Sequence, residues 1–573
     1  MARSSAVLML LLVFVLILIR DTKQLSLPSD PTYFAGVVEF PKLDGSDRDH
    51  TVLASEGYQA ILESDQTNDL DIIVFPEYVL NNRETATFVP DPNDKISPCI
   101  SPDYEMFLVE LSCAARSRKI YVVLNLKEKE LCGPAYGNGS NTYNSCPETG
   151  VRYFNTNVVL DREGRIISRY RKTHLWRHEY YSNAVLKQTD ISYFDTDFGV
   201  TFGHFICFDM LFYEPAMQLV HEMNITDIIY PTFWFSELPF LTSIQLQEGW
   251  AFANNVNLLA ADGSDPSGKT TGSGIYAGRA GRLAAAIFEE PTTRLITARV
   301  PKRRPGQPAF ELPAVVQPIF QPQLISQRFT KLATFRDYNV DIFSSELLDM
   351  DFLNVSKTIC HRDFCCDFNV QRNVIGFSSD HAAYRYRLAA YWGNETTFIR
   401  VDRSEQAVCA LFACLDKELH SCGYTFPSSR QVANQLYFNS IKVRGSFATA
   451  SRRLIMPSTL DGMMMPLSVA QYNWTETQLG RETRVELELI HPKNDLLTFG
   501  IWANYFTKIP TLHNLDHMQP YRNQPQFTGA NTNSNASIND GSITIPSLNS
   551  TTSTASALTS LCSLMALCLM LQS

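Results

Sequence analysis

Basic residues are in short supply in this chain: 49 Lys and Arg face 59 Asp and Glu, a formal charge of −10 over 573 residues. That balance argues against nucleic acid or an anionic membrane surface as the main partner. Charged residues reach only 19% against 45% hydrophobic ones, which excludes a disordered chain. There is no strong internal repeat, and the length predicts two domains with terminal appendages. His174, His178 and His204 form no known zinc spacing, and His204, inside a strand pattern, reads as a packed histidine. Gly272-Ser273-Gly274 lacks the helix signature of a phosphate cradle and reads as a tight turn. No metal and no cofactor is called for.

The apolar runs at the two ends are short. After Arg3, Ala6 to Ile19 is unbroken, the length of a signal-peptide core and too short for a comfortable membrane span. No small-x-small cleavage motif follows, and residues 1–26 are taken as a signal peptide cut before Pro28. At the far end, Asn531 to Thr554 is rich in Asn, Ser and Thr, and Leu558 to Leu571 is mostly apolar. Residues 530–573 therefore read as a polar spacer and a glycosylphosphatidylinositol (GPI) signal, attached at Asn549 or Ser550, with Gly541 as an alternative. A poor transmembrane stub or a sticky tail is the competing reading. The expected setting is the cell surface, with the membrane reached through a lipid. Asn-x-Ser/Thr triplets at Asn138, Asn224, Asn354, Asn394, Asn473, Asn535 and Asn549 are glycosylation candidates there.

Of 13 cysteines, Cys562 and Cys568 lie in the tail that anchoring removes, leaving an odd number. Cys207 is our choice for the unpaired thiol. Cys99 with Cys113 and Cys132 with Cys146 are the simplest bridges in the first half. Six more cysteines lie beyond residue 350, where adjacent Cys365 and Cys366 point opposite ways and should bridge different partners. Sequence alone does not choose among their pairings.

Residues 30–304 alternate short apolar strands with helical patterns, an α/β arrangement with strands buried on both faces. Strands are expected at Tyr33–Phe40, Asp71–Phe75, Ile120–Leu124, Val200–Ile206, Asp227–Tyr230 and Val256–Ala261, with a hairpin over Phe154–Leu160 and Ile166–Tyr170. Helices are expected at Asp49–Glu63, 103–118, from Phe208 towards Leu219, near Tyr213–Glu222 and at Leu238–Asn254. Pro305, Pro308, Pro313, Pro318 and Pro322 mark a linker, and residues 325–525 read as a smaller β-rich domain.

Three strands end in a reactive side chain: Phe75-Pro76-Glu77, the Arg169–Trp176 stretch with Lys172, and Phe205-Ile206-Cys207. A strand-to-helix corner at Cys207 would aim backbone N–H groups and a helix dipole at the sulfur and lower its pKa. Each residue has a plainer reading. Cys207 could be a small buried hydrophobe, Glu77 a helix cap and Lys172 part of a solvated basic face. Trp234 and Phe235 could wall a pocket or fill a core.

Taken together, Phe-Pro-Glu77, Tyr-Arg-Lys172-x-His-Leu and Gly203-x-x-x-Cys207-Phe-Asp resemble the carbon–nitrogen hydrolases of the nitrilase superfamily. Tyr230-Pro-Thr-x-Trp234, Leu238-Pro-x-Leu-Thr, Gly272-Ser-Gly-Ile-Tyr276 and Cys360-x4-Cys-Cys366 with Cys409-x4-Cys414 resemble its biotinidase and vanin branch. The likeness spans roughly residues 30–525. It implies a four-layer αββα sandwich followed by the β-rich domain, and a triad of Glu77 (general acid/base), Lys172 (oxyanion stabiliser) and Cys207 (nucleophile). Glu179 matches a supporting glutamate that orients the lysine. The Phe208 N–H would join the oxyanion site, and Trp234 the substrate wall. The implied partner is a small linear amide: pantetheine first, biocytin as rival. The other class of reading is a catalytically silent surface glycoprotein on the same fold.

Overall fold

A computed structural model describes residues 25–43, 46–101, 103–133, 146–177, 179–186, 188–303, 331–349, 351–374, 381–394, 404–433 and 435–506. The signal core, the proline linker, His178, Asn138, Asn535 and Asn549 lie outside these residues.

The first half runs β1 (Thr32–Pro41), α1 (Asp47–Glu63), β2 (Ile72–Val74), α2 (Met106–Arg118), β3 (Tyr121–Leu131), β4 (Val151–Leu160), β5 (Ile166–Arg171), α3 (Glu179–Ser182), β6 (Tyr193–Asp195) and β7 (Thr201–His204). It continues with α4 (Gln218–His221), β8 (Asp227–Thr232), β9 (Glu237–Leu238), α5 (Ser243–Asn254), β10 (Asn257–Ser264), β11 (Ser273–Ala277), β12 (Arg282–Ala286) and β13 (Arg294–Pro301). The strands follow one path, β5-β4-β3-β2-β1-β10-β8-β7-β6, that bends at β1 into two facing sheets. The last residues of β1, Phe40 and Pro41, pair with Gly263 and Ser264 of β10 and join the halves.

Alternation along β1 shows why the layers stack. Tyr33, Ala35 and Val37 point into the core between the sheets, against Phe202, Ile229 and Leu259. Val38 and Phe40 point the other way, onto Tyr58 and Leu62 of α1 and Leu111 of α2. Beyond the second sheet, Tyr230, Leu258 and Ala260 meet Leu246, Trp250 and Ala251 of α5. Helix, sheet, sheet and helix are the four expected layers.

The C-terminal region holds β14 (Phe335–Arg336), β15 (Ser344–Leu347), β16 (Asn354–His361), β17 (Phe364–Val374), β18 (Arg385–Asn394), β19 (Glu405–Cys414), β20 (Leu436–Ala448), β21 (Arg453–Asp461), β22 (Tyr472–Leu479), β23 (Glu482–Leu489) and β24 (Leu496–Tyr505). Two five-stranded sheets form, β15-β18-β19-β24-β21 and β16-β17-β20-β23-β22. Strict in/out alternation on β17 turns Cys366 inward to bridge Cys409 of β19, while Cys365 turns outward to Cys360. The remaining bridges are Cys414–Cys422, Cys99–Cys113 and Cys132–Cys146. Cys207 is the free cysteine among the described residues. No helix among them is long and apolar enough to cross a membrane.

One local expectation fails. The helix expected over Phe208–Leu219 is a short 3-10 turn, Cys207–Leu211, and after Phe212 a π-helical stretch, Tyr213–Met217, kinked at Glu214, runs into α4 where a helix was expected near Tyr213–Glu222. Pro215 explains the break, because it supplies no N–H and its ring clashes with the carbonyl four residues back. The helix of Leu238–Asn254 starts later, at Ser243, behind a Thr242–Gln245 capping box.

Candidate active site

The strands β2, β5, β7 and β8 all point the same way, and each delivers a polar group just past its carboxyl end. That rim is where open α/β sheets hold ligands. Glu77 comes three residues after β2, Lys172 directly after β5, Cys207 three residues after β7 and Phe233 directly after β8.

All three expected triad residues are buried there, at 3%, 3% and 7% exposure for Glu77, Lys172 and Cys207. Lys172 is therefore no solvated basic face. Glu77 caps no helix either: the chain turns at Tyr78, whose φ of 71° is left-handed. Lys172 Nζ donates to Glu77 Oε1 at 2.7 Å and to Glu179 Oε2 at 2.7 Å. The Phe233 peptide links the remaining members: its N–H donates to Glu77 Oε2 at 2.9 Å, and its carbonyl receives the Cys207 thiol at 3.8 Å.

Cys207 itself sits at φ 46°, a left-handed conformation that costs a side-chain-bearing residue on the order of 1–2 kcal/mol. Surrounding bonds hold it there. Tyr230 donates its hydroxyl to the Cys207 carbonyl at 2.9 Å. Asp209 folds back to accept the Ile206 N–H at 3.1 Å and the Tyr170 hydroxyl at 2.8 Å. Its other oxygen accepts the His174 backbone N–H at 2.9 Å and stands 2.9 Å from His174 Nδ1. One carboxylate thus pins the elbow at Cys207 to the loop that carries Lys172.

Sequence reasoning missed this role of Asp209 and an asparagine ladder. Asn155 on β4 donates to Glu77 Oε1 at 2.7 Å and to Glu179 Oε1 at 2.6 Å. Asn125 on β3 donates to Asn155 Oδ1 at 2.7 Å and to Asn157 Oδ1 at 3.1 Å. The available signal was three asparagines inside otherwise apolar strands, where an amide without a partner is costly. Glu179 joins the cluster because α3 begins with it and its carboxylate also accepts the Trp176 N–H at 2.7 Å.

The electrostatics follow from this packing. Burial raises the Glu77 carboxyl, with Lys172 opposing and Glu179 adding to the rise. Burial works against the Lys172 ammonium, but Glu179, Glu77 and Cys207 together outweigh it and hold its pKa well above the ordinary value. Burial, then the charge of Glu77, pushes the Cys207 thiol well up, and Lys172 offsets part of this. This corrects the expected lowering of the thiol pKa. With only a short 3-10 turn behind it, the sulfur gains no helix dipole and rests as a neutral thiol beside a carboxylate.

Phe208 is buried with its ring edge-on to Trp176, centroids 4.7 Å apart. Trp234 is turned into the core: its indole N–H donates to the Leu241 carbonyl at 2.9 Å and its backbone N–H to Asp262. The aromatic rings nearer the surface are Tyr78, Phe233, Phe235 and Trp176, packed edge to face or stacked with centroids 5.8–6.4 Å apart. His204 is fully buried, 2.8 Å from the Ser168 hydroxyl, and burial lowers its pKa to about 3, so it is the neutral packed histidine expected.

Comparison with known proteins agrees with this architecture. The carbon-nitrogen hydrolase family model matches residues 49–302, and the vanin C-terminal domain model matches residues 332–509. Vanin-like protein 2 of Drosophila melanogaster is 40% identical over 512 residues, 85% of this chain and 91% of that protein. Vanin-like protein 1 of the same organism is 39% identical over 505 residues, 85% and 88% of the two chains. Pantetheinase of Sus scrofa is 30% identical over 424 residues, 73% and 75% of the two. The fold and these matches define a carbon–nitrogen hydrolase that acts on amides, and within that class the chain belongs to the vanin family.

Proposed function

We propose that the protein hydrolyses pantetheine to pantothenate and cysteamine through a thioester on Cys207. The observation that carries the reading is the convergence of Glu77, Lys172 and Cys207 in one buried cluster, with both Glu77 and the thiol bonded to the Phe233 peptide. The pantetheinase of Sus scrofa supports the choice of substrate.

Each group has a step matched to its chemistry. As the substrate carbonyl enters, Glu77 takes the thiol proton and the sulfur attacks the carbonyl carbon. The oxyanion forms beside the Lys172 ammonium and the Phe208 N–H, where a single such donor is worth about 3–4 kcal/mol. Glu77 hands its proton to the departing amine as the C–N bond breaks, leaving the thioester. Water then gives a proton to Glu77 and its oxygen to the acyl carbon. Collapse releases the acid, and the proton returns to sulfur. Glu179 and Asn155 orient the lysine and the base throughout.

The same proposal places the protein outside the cell: residues 1–26 as signal, Asn549 as lipid attachment, and glycans on the acceptor asparagines. Asn224, Asn354, Asn394 and Asn473 are all exposed, which supports their use. Release of the protein from cells by a phosphatidylinositol-specific phospholipase tests the anchor, and retention refutes it.

The test of the chemistry is cysteamine release from pantetheine by wild type and Cys207→Ala, with biocytin as the competing substrate. Wild type should turn over pantetheine, and the variant should lose at least about 10⁴-fold, as when a covalent nucleophile is deleted. Comparable turnover by the variant refutes the triad, and a preference for biocytin refutes the substrate.

A further inference from the structure

The aromatic rings beside the reactive cluster do not end with the first half of the chain. Tyr78 follows Glu77 directly, Trp176 donates its backbone N–H to Glu179, and Phe233 supplies the peptide that holds Glu77 and the Cys207 thiol. Tyr78 is 51% exposed, and Trp176, Phe233 and Phe235 are each partly exposed, so the cluster opens to solvent along these rings. The row then continues outward. Phe233 packs on Phe235 with centroids 5.8 Å apart, and Phe235 packs on Phe335 at 6.0 Å. Phe335 belongs to β14, the first strand of the C-terminal region, and it too is partly exposed.

Backbone bonds fix Phe335 in that place. β14 runs parallel to β9, with the Phe335 N–H on the Ser236 carbonyl at 2.8 Å and the Asp337 N–H on the Leu238 carbonyl at 2.8 Å. Upstream, the Ala333 N–H donates to the Pro266 carbonyl at 3.1 Å. Neighbouring side chains on a strand point to opposite faces. Arg336 accordingly turns toward the C-terminal domain, where it donates to the Cys422 carbonyl at 2.7 Å and to Asp341 at 2.8 Å. Phe335 turns toward the rings of the hydrolase half. Two cations brace its ring: Lys269 Nζ lies 4.7 Å from the centroid and the Arg177 guanidinium 5.3 Å. Contacts of this kind orient a ring at the surface. The plainer reading is a plug that only seals the seam between the two halves. Against it stands the position of Phe335 at the solvent end of a row of rings that starts at the Cys207 thiol.

We propose that Phe335 is a specificity-determining residue, the outer wall of the entrance to Cys207 against which the part of the amide remote from the scissile bond packs. The substrate class that suits such a wall is an extended amide with an aliphatic segment several bonds from the reacting carbonyl, because aromatic faces offer apolar contact area. A short amide seated at Cys207 ends before the second ring-to-ring step. The role rests on the reading of Cys207 as the hydrolytic nucleophile, and it gives the C-terminal domain a part in choosing the substrate. A contact so far from the reacting atoms is made alike in ground state and transition state, so its loss raises KM and spares kcat.

The test compares full-length wild type, Phe335→Ala and Phe335→Leu, with pantetheine and biocytin as substrates and with the rate at which iodoacetamide alkylates Cys207. On the extended amide that wild type turns over, Phe335→Ala should raise KM about 10-fold with kcat little changed, the scale of one lost apolar contact in a binding pocket. Phe335→Leu keeps an apolar wall and should fall in between; its smaller rise in KM carries the test if the Ala variant does not fold. Iodoacetamide is an amide too short to reach the wall, so alkylation should run equally fast in all three proteins. An unchanged KM in the variants overturns the proposal and leaves the hydrolytic reading intact. A fall in kcat together with slowed alkylation in both variants also overturns it, because Phe335 would then only hold the site together. Wild type that turns over neither substrate overturns it along with the reading on which it rests.

Discussion

Replacing Asn155 by Leu should move the acidic limb of the pH profile upward. The side chain is buried and similar in shape to Leu, so the change removes hydrogen bonds more than volume. Its amide donates to Glu77 at 2.7 Å and to Glu179 at 2.6 Å, both carboxylates. A bond to a charged partner is worth about 1.5–3 kcal/mol. The bond to Glu77 favours the ionised form, and its loss raises a pKa that burial has already raised. At about 1.4 kcal/mol per pH unit, the rise is about 1–2 units. In the proposed cycle the free enzyme needs Glu77 deprotonated to accept the thiol proton, so the limb where kcat/KM climbs with pH should shift up by the same amount. The assay is kcat/KM for pantetheine against pH, with circular dichroism as the control for folding. A limb that stays in place or moves down in a folded variant refutes Glu77 as the base whose proton affinity Asn155 sets.

Three further outcomes follow from particular contacts. Asp209→Ala orphans the donors of Ile206, Tyr170 and His174, so kcat should fall about 100-fold through misplacement of the elbow, with Asp209→Asn in between. Glu39→Gln should flatten the pH dependence of stability. The raised acid keeps a proton that the unfolded chain gives up, so its stabilisation is full below 4.5 and lost as pH rises to about 7, a change of about 3 kcal/mol in denaturant titrations. Loss of the Cys366–Cys409 bridge, by Ala at both positions, opens a link of sequence separation 43 and should cost the C-terminal sandwich about 4 kcal/mol by chain entropy. An unchanged denaturation midpoint contradicts this.

The layers were legible because apolar alternation on strands such as β1 has to be satisfied on both faces, and that pattern is local. Glu77, Lys172 and Cys207 were legible because each follows a strand that ends in a recognisable motif. What hid was the support. Asp209 acts across 35 and 39 residues on His174 and Tyr170, and Asn155 reaches 78 residues back to Glu77. Neither distance leaves a trace in a local window. The helix expected after Cys207 failed for a local reason, since Pro215 outweighed the apolar periodicity around it. The thiol's raised pKa could not be read either, because it depends on how deeply the sulfur is buried and how near Glu77 stands. The Trp234 ring, read as either a pocket wall or a core aromatic, faces the core, and the bond from its backbone N–H to Asp262 had no sequence signal.

The most direct measurement is the mass of the peptide containing Cys207 after rapid acid quench of the enzyme turning over pantetheine. A thioester pathway predicts that this peptide gains the pantothenoyl group in wild type, while the Cys207→Ala peptide gains nothing and turnover ceases. Continued turnover by Cys207→Ala, or an acyl group trapped on another residue, contradicts it.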